Sequence, residues 1–222
     1  MEGPRSVGRL ALFDLDDTLV DRGRGFARWA REFALSRGWG EREERWLLAS
    51  DQESTGGRRE FFGRVREEFG LAESADELWA GYRSRMPDLV VCPPETLNGL
   101  TALRRAGWRV GVVTNGAHDN QSAKIERTGI GAVVDGFCTS GELGIRKPDA
   151  RVFRVAAERC GADLARGGWM VGDHPTDDIA GGRAAGLHTV WITHGRPRPA
   201  GTPAELEAAD ATEAIALLGR RS

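Results

Sequence analysis

Residues 11–20 read ALFDLDDTLV, an apolar run of strand character that ends in three carboxylates, Asp14, Asp16 and Asp17, within four residues. Burying charge is costly unless the charge is paired or bound to a metal ion. Something cationic must therefore reach the end of this strand. The chain has 31 basic residues, of which only Lys124 and Lys147 are lysines. Where arginine is the default cation, each lysine is a candidate for a specific role.

The strand runs from about Arg9 to Asp14, with Gly8 before it and the acidic turn after it. The pattern then changes. Residues 26–35, FARWAREFAL, place Phe26, Trp29, Ala30 and Phe33 at helical spacing, and residues 58–69 do the same with Phe61, Phe62, Val65 and Phe69. No good strand pattern occurs between about residues 22 and 88, and the polar break DQESTGGRR reads as a loop between helices. This predicts a small helical bundle over residues 21–92, inserted into a core built from residues 1–20 and 93–222. Its glycine-containing entry, Asp21 to Gly25, and its proline-containing exit, Pro87 to Pro94, read as hinge-like connectors.

After Pro93 and Pro94, helix and strand patterns alternate. A helix over about 95–106 stops at Gly107 before the strand WRVGVV, and a helix over about 118–128 stops at Gly129 before a short strand near 137–139. A helix over about 149–160 ends at Gly161 before WMVG, and one over about 175–185 ends at Gly186 before HTVWI. The Pro-rich HGRPRPAGTPA reads as a surface loop. Such alternation implies right-handed crossovers and an α/β fold with a doubly wound, mostly parallel, Rossmann-like sheet. Sites in these sheets form beyond the carboxyl ends of the strands.

Composition removes other classes of function. A chain of 222 residues that is 40% hydrophobic is long enough for one large domain, or one domain with an insertion, around a real core. A pI near 6.1 and a formal charge of -2 leave no basic footprint, so nucleic acid is not an expected partner. No apolar run approaches the roughly 18 residues a bilayer span requires. MEGPRSVGRL also lacks a signal-peptide apolar region, so the expectation is no membrane partner and a cytoplasmic location. Cys92, Cys138 and Cys160 are odd in number and have no CxxC spacing, which argues against a disulfide framework or zinc knuckle and for reduced thiols. The sequence leaves oligomeric state open.

Four separated segments send polar groups to one rim of the expected sheet. The first strand is followed by Asp14, Asp16 and Thr18, the second by Thr114 and Asn115, and the WMVG strand by Asp173, Asp177 and Asp178; GIRKP adds Lys147. Taken singly, each has a plainer reading: DLDDT as a strand and turn, TNG as a turn, GDHPTDD as a helix cap. Their occurrence in order overturns those readings. DLDDT, TN, the lysine of RKP and GDHPTDD resemble the four ordered motifs of the haloacid dehalogenase superfamily of phosphohydrolases, and the helical insertion resembles that family's cap. The likeness covers about residues 9–193.

The residue types agree with phosphoryl transfer. Hydrolysis of phosphate monoesters is extremely slow without a catalyst, so a catalyst must neutralise charge as well as supply a nucleophile. Magnesium suits the first task, with Asp14 and Asp173 as its natural carboxylate ligands. A carboxylate such as Asp14 can also attack phosphorus to form an aspartyl-phosphate. Asp16, two residues on, would point the same way if the strand direction persists, and so serve as general acid and base. The resemblance implies that its backbone carbonyl adds a metal ligand. Thr114, with the backbone N–H groups of Asp16 and Asn115, would hold phosphoryl oxygens, and Lys147 would bridge nucleophile and phosphate. Asp178 matches the family's second acidic position, although the residues alone leave Asp177 and Asp178 interchangeable. Arg58 and Arg59 are candidates to contact an anionic leaving group.

The expected activity is Mg²⁺-dependent hydrolysis of a small phosphorylated metabolite. Asp16 favours this over dehalogenation, which needs no acid for an alkoxide. A phosphosugar mutase of the same fold, or a catalytically silent binding or regulatory protein, are the alternatives. An EF-hand is excluded, because Leu19 and Gly25 stand where its glycine and terminal acid belong. The histidines form no recognised ligand pattern, and Trp29, Trp46 and Trp79 are expected to pack the helical insertion.

Overall fold

The computed structural model describes residues 9–53 and 57–221. The chain divides into two compact units, one spanning Arg22–Val91 and one formed by the segments that flank it.

The Arg22–Val91 unit contains α1 (Arg22–Ser36), α2 (Glu41–Glu53), α3 (Arg58–Phe69) and α4 (Ala75–Arg85). Phe26 and Trp29 of α1, Phe61 and Phe62 of α3, and Tyr82 of α4 are all buried together. Edge-to-face contacts join them, with Trp29 at 5.6 Å from the Phe62 ring and 5.2 Å from Tyr82. Trp46 packs on Phe69, and Trp79 lies under the Arg83 guanidinium. Ser74 and Glu77 form a capping box that starts α4.

Two expectations are corrected here. Residues 22–25 are the first turn of α1 rather than a connector; Gly25 packs there so closely that a Cβ would meet Val90 at 2.7 Å. Arg58 and Arg59, which the sequence places both in the DQESTGGRR break and in the helical pattern over 58–69, open a helix, α3, instead of lying on a loop. The predicted loop residues Ser54, Thr55 and Gly56 lie outside the described residues.

In the other unit, β1 (Leu10–Phe13), β2 (Arg109–Thr114), β3 (Gly136–Thr139), β4 (Trp169–Gly172), β5 (His188–Ile192) and β6 (Leu206–Ala208) form one sheet in the order β3-β2-β1-β4-β5-β6. Every pairing is parallel. The central β1 is buried throughout, as expected of a strand covered on both faces. Around the sheet run α5 (Pro94–Arg105), α6 (His118–Arg127), the short α7 (Ile130–Val133) and α8 (Ser140–Leu143), α9 (Ala150–Arg159), α10 (Gly181–Ala184) and α11 (Ala211–Gly219). The predicted helix over 175–185 is a wide π-type turn, Pro175–Ala180, that leads into α10.

Strand order reverses at the β1–β4 pair: β1 leads outward to β2 and β3, whereas β3 returns across the sheet to β4 and β5. Right-handed crossovers then put the two sets of helices on opposite faces, and a crevice opens where the connections diverge. Asp14 follows β1 and Asp173 follows β4, so both stand at that crevice. Among the described residues no helix is long and apolar enough to cross a membrane. The three cysteines are buried and unpaired, and burial pushes the thiols of Cys92, Cys138 and Cys160 up to about 12, 11 and 12, which disfavours the thiolate.

Candidate active site

The Asp14 N–H donates to the Val171 carbonyl at 2.9 Å, which carries the β1–β4 pairing one residue past the strand. Its side chain is thereby fixed beside the end of β4. Lys147 Nζ donates to Asp14 Oδ1 at 2.5 Å and to Asp178 Oδ1 at 2.6 Å. All three groups are buried. Asp178 Oδ2 accepts the His174 N–H at 3.0 Å, and this carboxylate fills the space over Gly172, where a Cβ would fall 2.3 Å from it. A glycine ends β4 because a side chain would evict Asp178. Asp177, in contrast, turns to Asn115 Nδ2 at 2.9 Å and Arg146 at 3.5 Å. The geometry thus separates the two aspartates that the sequence left interchangeable.

Asp14, Asp173 and Asp178 each offer an oxygen within 4.8 Å of the others. Trp191 Nε1 donates to the Asp173 carbonyl at 2.9 Å, and Arg196 approaches its Oδ2 at 3.4 Å. One buried ammonium and one largely exposed guanidinium serve three clustered carboxylates. Burial pushes the Asp14 carboxyl well above the ordinary carboxylate range, and Asp178 and Asp173 add to this against the pull of Lys147. Asp173 is raised to about 7 by burial and by its neighbours Asp178 and Asp17. Burial disfavours the charged form of Lys147, but Asp14 and Asp178 outweigh it and raise its pKa. Such a cluster of hard oxygen donors, short of positive charge, fits a Mg²⁺ ion.

The position of Asp16 follows from a tight turn rather than from strand alternation. Asp17 has φ of 55°, its N–H bonds the Val20 carbonyl at 2.7 Å, and the Leu19 and Val20 N–H groups both return to the Leu15 carbonyl. Asp16 is thereby carried to α6, where Lys124 Nζ donates to its two oxygens at 2.7 and 2.9 Å. Gln121 Nε2 donates to the same carboxylate at 3.0 Å and to Thr114 Oγ1 at 2.7 Å. Gly116, with φ of 155°, leaves the space Gln121 needs, since a Cβ there would meet its side chain at 2.9 Å. Thr114 itself is buried at the end of β2.

Asn115 is already engaged. Its Oδ1 accepts the Lys147 N–H at 3.0 Å, and its Nδ2 donates to the Lys147 carbonyl at 3.2 Å as well as to Asp177. The side chain thus moors the loop that carries Lys147. In the helical unit, Arg58 pairs with the buried Asp51 and its guanidinium lies over the rings of Phe26, Phe61 and Tyr82. Arg59 is exposed and pairs with Asp76 at 2.6 Å. The sequence pattern assigns no role to Lys124 or Gln121. The one signal for Lys124 is that the chain has only two lysines.

A cleft of about 740 Å³ opens beside Asp173, lined among others by Asp17, Thr18, His194 and Arg196. His194 Nε2 contacts the Asp17 carbonyl at 2.5 Å, which ties the turn after β1 to the loop after β5.

A family model described as haloacid dehalogenase-like hydrolase matches residues 9–186. The chain is 35% identical to the phosphoserine phosphatase of Thermus thermophilus over 159 residues, which is 70% of this chain and 62% of that protein. It therefore spans under two thirds of that relative. It is 33% identical to the glyceraldehyde 3-phosphate phosphatase of Methanothermobacter thermautotrophicus over 196 residues, 83% of this chain and 85% of the relative. Among solved structures, a HAD phosphatase from Thermococcus onnurineus superposes with a TM-score of 0.67 at 24% identity, covering 95% of this chain and 97% of the other, a likeness of fold.

Proposed function

The chain belongs to the haloacid dehalogenase-like hydrolases, and we propose that it is a Mg²⁺-dependent phosphatase that hydrolyses a small phosphate monoester through an aspartyl-phosphate on Asp14. One observation carries the reading: a buried carboxylate at the end of the central strand, bonded to a buried lysine and grouped with two further carboxylates. A nucleophile, a fixed cation and a metal site are then within reach of one phosphate.

Asp14, Asp173 and Asp178 would hold the ion, with the Asp16 carbonyl as the family's further ligand, and bound Mg²⁺ would supply charge neutralisation at the phosphoryl oxygens. An Asp14 oxygen attacks phosphorus as the bond to the leaving oxygen breaks, and Asp16 gives that oxygen a proton. Water then attacks phosphorus, the Asp14–phosphorus bond breaks, and Asp16 takes the water's proton. Thr114, backbone N–H groups and Lys147 hold the transferring oxygens throughout.

We read residues 22–91 as the cap that selects the substrate, with Arg59 as the candidate contact to an anionic leaving group. The substrates for which the two relatives are named, phosphoserine and glyceraldehyde 3-phosphate, differ from each other, so neither is carried over. Phosphate release from a panel of phosphorylated sugars, amino acids and nucleotides, each with and without Mg²⁺, tests the reading. Turnover of one or more members with Mg²⁺ alone supports it, and none on the whole panel contradicts it.

A further inference from the structure

Both lysines of the chain are used on the DLDDT turn, one for each of its first two aspartates. Lys147 and Asp14 belong to the nucleophile. Lys124 has no place in the two chemical steps, yet it is nearly fully buried, at 3% exposed, and it reaches from α6 to both oxygens of Asp16, itself 22% exposed. Burying an ammonium on a helix face costs several kcal/mol unless its partner is well fixed. The surroundings supply that fixing. Gln121, one turn earlier on the same face of α6, donates to Asp16 and to Thr114 with the same nitrogen. Gly116 is the glycine that gives Gln121 its space.

We propose that Lys124 and Gln121 are a positioning pair that sets the orientation of the Asp16 carboxylate, and that Gln121 keys this orientation to Thr114, which holds the phosphoryl group. The inference rests on the phosphatase reading, in which Asp16 moves the proton. Three hydrogen bonds converge on a carboxylate that sits on a turn, outside the sheet, where no strand geometry would otherwise fix its rotamer. A proton donor and acceptor must lie within hydrogen-bond reach of its target, and misplacement by about 1 Å can cost about 10²-fold. Lys124 and Gln121 need not touch the substrate, since they act through Asp16.

The test is a double-mutant cycle on the Mg²⁺-loaded enzyme, with Lys124→Met, Asp16→Asn and the two combined. Lys124→Met is expected to lower kcat on an alkyl phosphate by about 10- to 100-fold with KM little changed, and to lower kcat/KM, which excludes the dephosphorylation step all substrates share, much less on p-nitrophenyl phosphate, whose leaving group needs no proton. In the Asp16→Asn background the same change should have no further effect. An equal fall in both backgrounds, or an unchanged kcat in Lys124→Met, overturns the proposal while wild-type turnover and an impaired Asp16→Asn leave the phosphatase reading standing. Lys124→Gln, shorter but still a donor, is measured alongside in case the Met variant does not fold, with a smaller loss expected. A crystal structure of either variant reads the geometry whether or not the wild type turns over. A displaced Asp16 carboxylate supports the proposal, and one that stays in place contradicts it.

Discussion

Asp14 and Asp178 share one ammonium: Lys147 Nζ lies 2.5 Å from the first and 2.6 Å from the second, and all three are buried. Removing one partner from a buried pair leaves the other uncompensated, at a cost of about 3–5 kcal/mol. Lys147→Met in metal-free buffer should therefore unfold at markedly lower urea concentration than wild type at pH 8. The gap should narrow as pH falls, because burial already favours the proton on Asp14 and a protonated carboxyl no longer needs the cation. Equal urea midpoints at pH 8 would show that Lys147 does not hold the carboxylates together.

Asp173 carries a pH dependence of definite sign. Its folded pKa, about 7, lies above the ordinary value of 3.8, so the folded chain holds the proton where the unfolded chain has lost it. The stability this group contributes is fully present below the ordinary value and is lost as pH rises to about 7. Metal-free protein should accordingly lose stability between about pH 4 and 7, and Asp173→Asn should flatten that trend. Mg²⁺ must displace the same proton, so its affinity should rise over the same interval, with proton release visible by calorimetry in buffers of different ionisation enthalpy. Metal-free stability that is level or rising through that interval in wild type would contradict the assignment.

Gly172→Ala tests the packing over the acidic cluster. A methyl group 2.3 Å from Asp178 Oδ2 forces that carboxylate aside. The variant should fold and lose at least about tenfold in Mg²⁺ affinity, the scale seen when a metal site's supporting contacts are removed. Affinity equal to wild type would mean that Asp178 is not a ligand.

Arg58 and Arg59 should separate by what they hold. Arg58→Ala leaves Asp51, whose side chain is buried, with Arg22 as its one remaining ion-pair partner among the described residues and uncovers aromatic rings, so a loss of about 1.5–3 kcal/mol in stability is expected. Arg59 and Asp76 are both exposed, and Arg59→Ala should stay within about 0.5 kcal/mol of wild type. On the best substrate of the panel, Arg59→Ala should raise KM and spare kcat. An unchanged KM would return Arg59 to the solvated surface.

The parallel sheet is legible in the sequence because apolar strand runs and glycine-stopped helices alternate, and the acidic rim because carboxylates have few reasons to follow buried strands. Strand β6 escapes such a reading, since Leu206–Ala208 is too short to show periodicity and follows a proline-rich loop. Arg58 and Arg59 read two ways, as loop because GG precedes them and as helix because residues 58–69 carry helical spacing, and α3 starts directly after Gly57. The bond from α6 to Asp16 is out of reach for a different reason. It depends on the turn that lifts Asp16 off the strand alternation, and only Asp17's positive φ, which the sequence does not display, produces that turn. The choice between Asp177 and Asp178 likewise depends on a π-type turn that no residue spacing announces.

The most direct measurement of the central claim is phosphate release from p-nitrophenyl phosphate by wild type and Asp14→Asn, each in chelator, with Mg²⁺ and with Ca²⁺. The account predicts turnover by wild type with Mg²⁺ only, since Ca²⁺ takes more ligands at longer distances, and none by Asp14→Asn under any condition. Asp16→Asn, run in parallel on an alkyl phosphate, should fall by about 10²- to 10⁴-fold. Near-normal turnover by Asp14→Asn, or full wild-type activity in chelator, would contradict it.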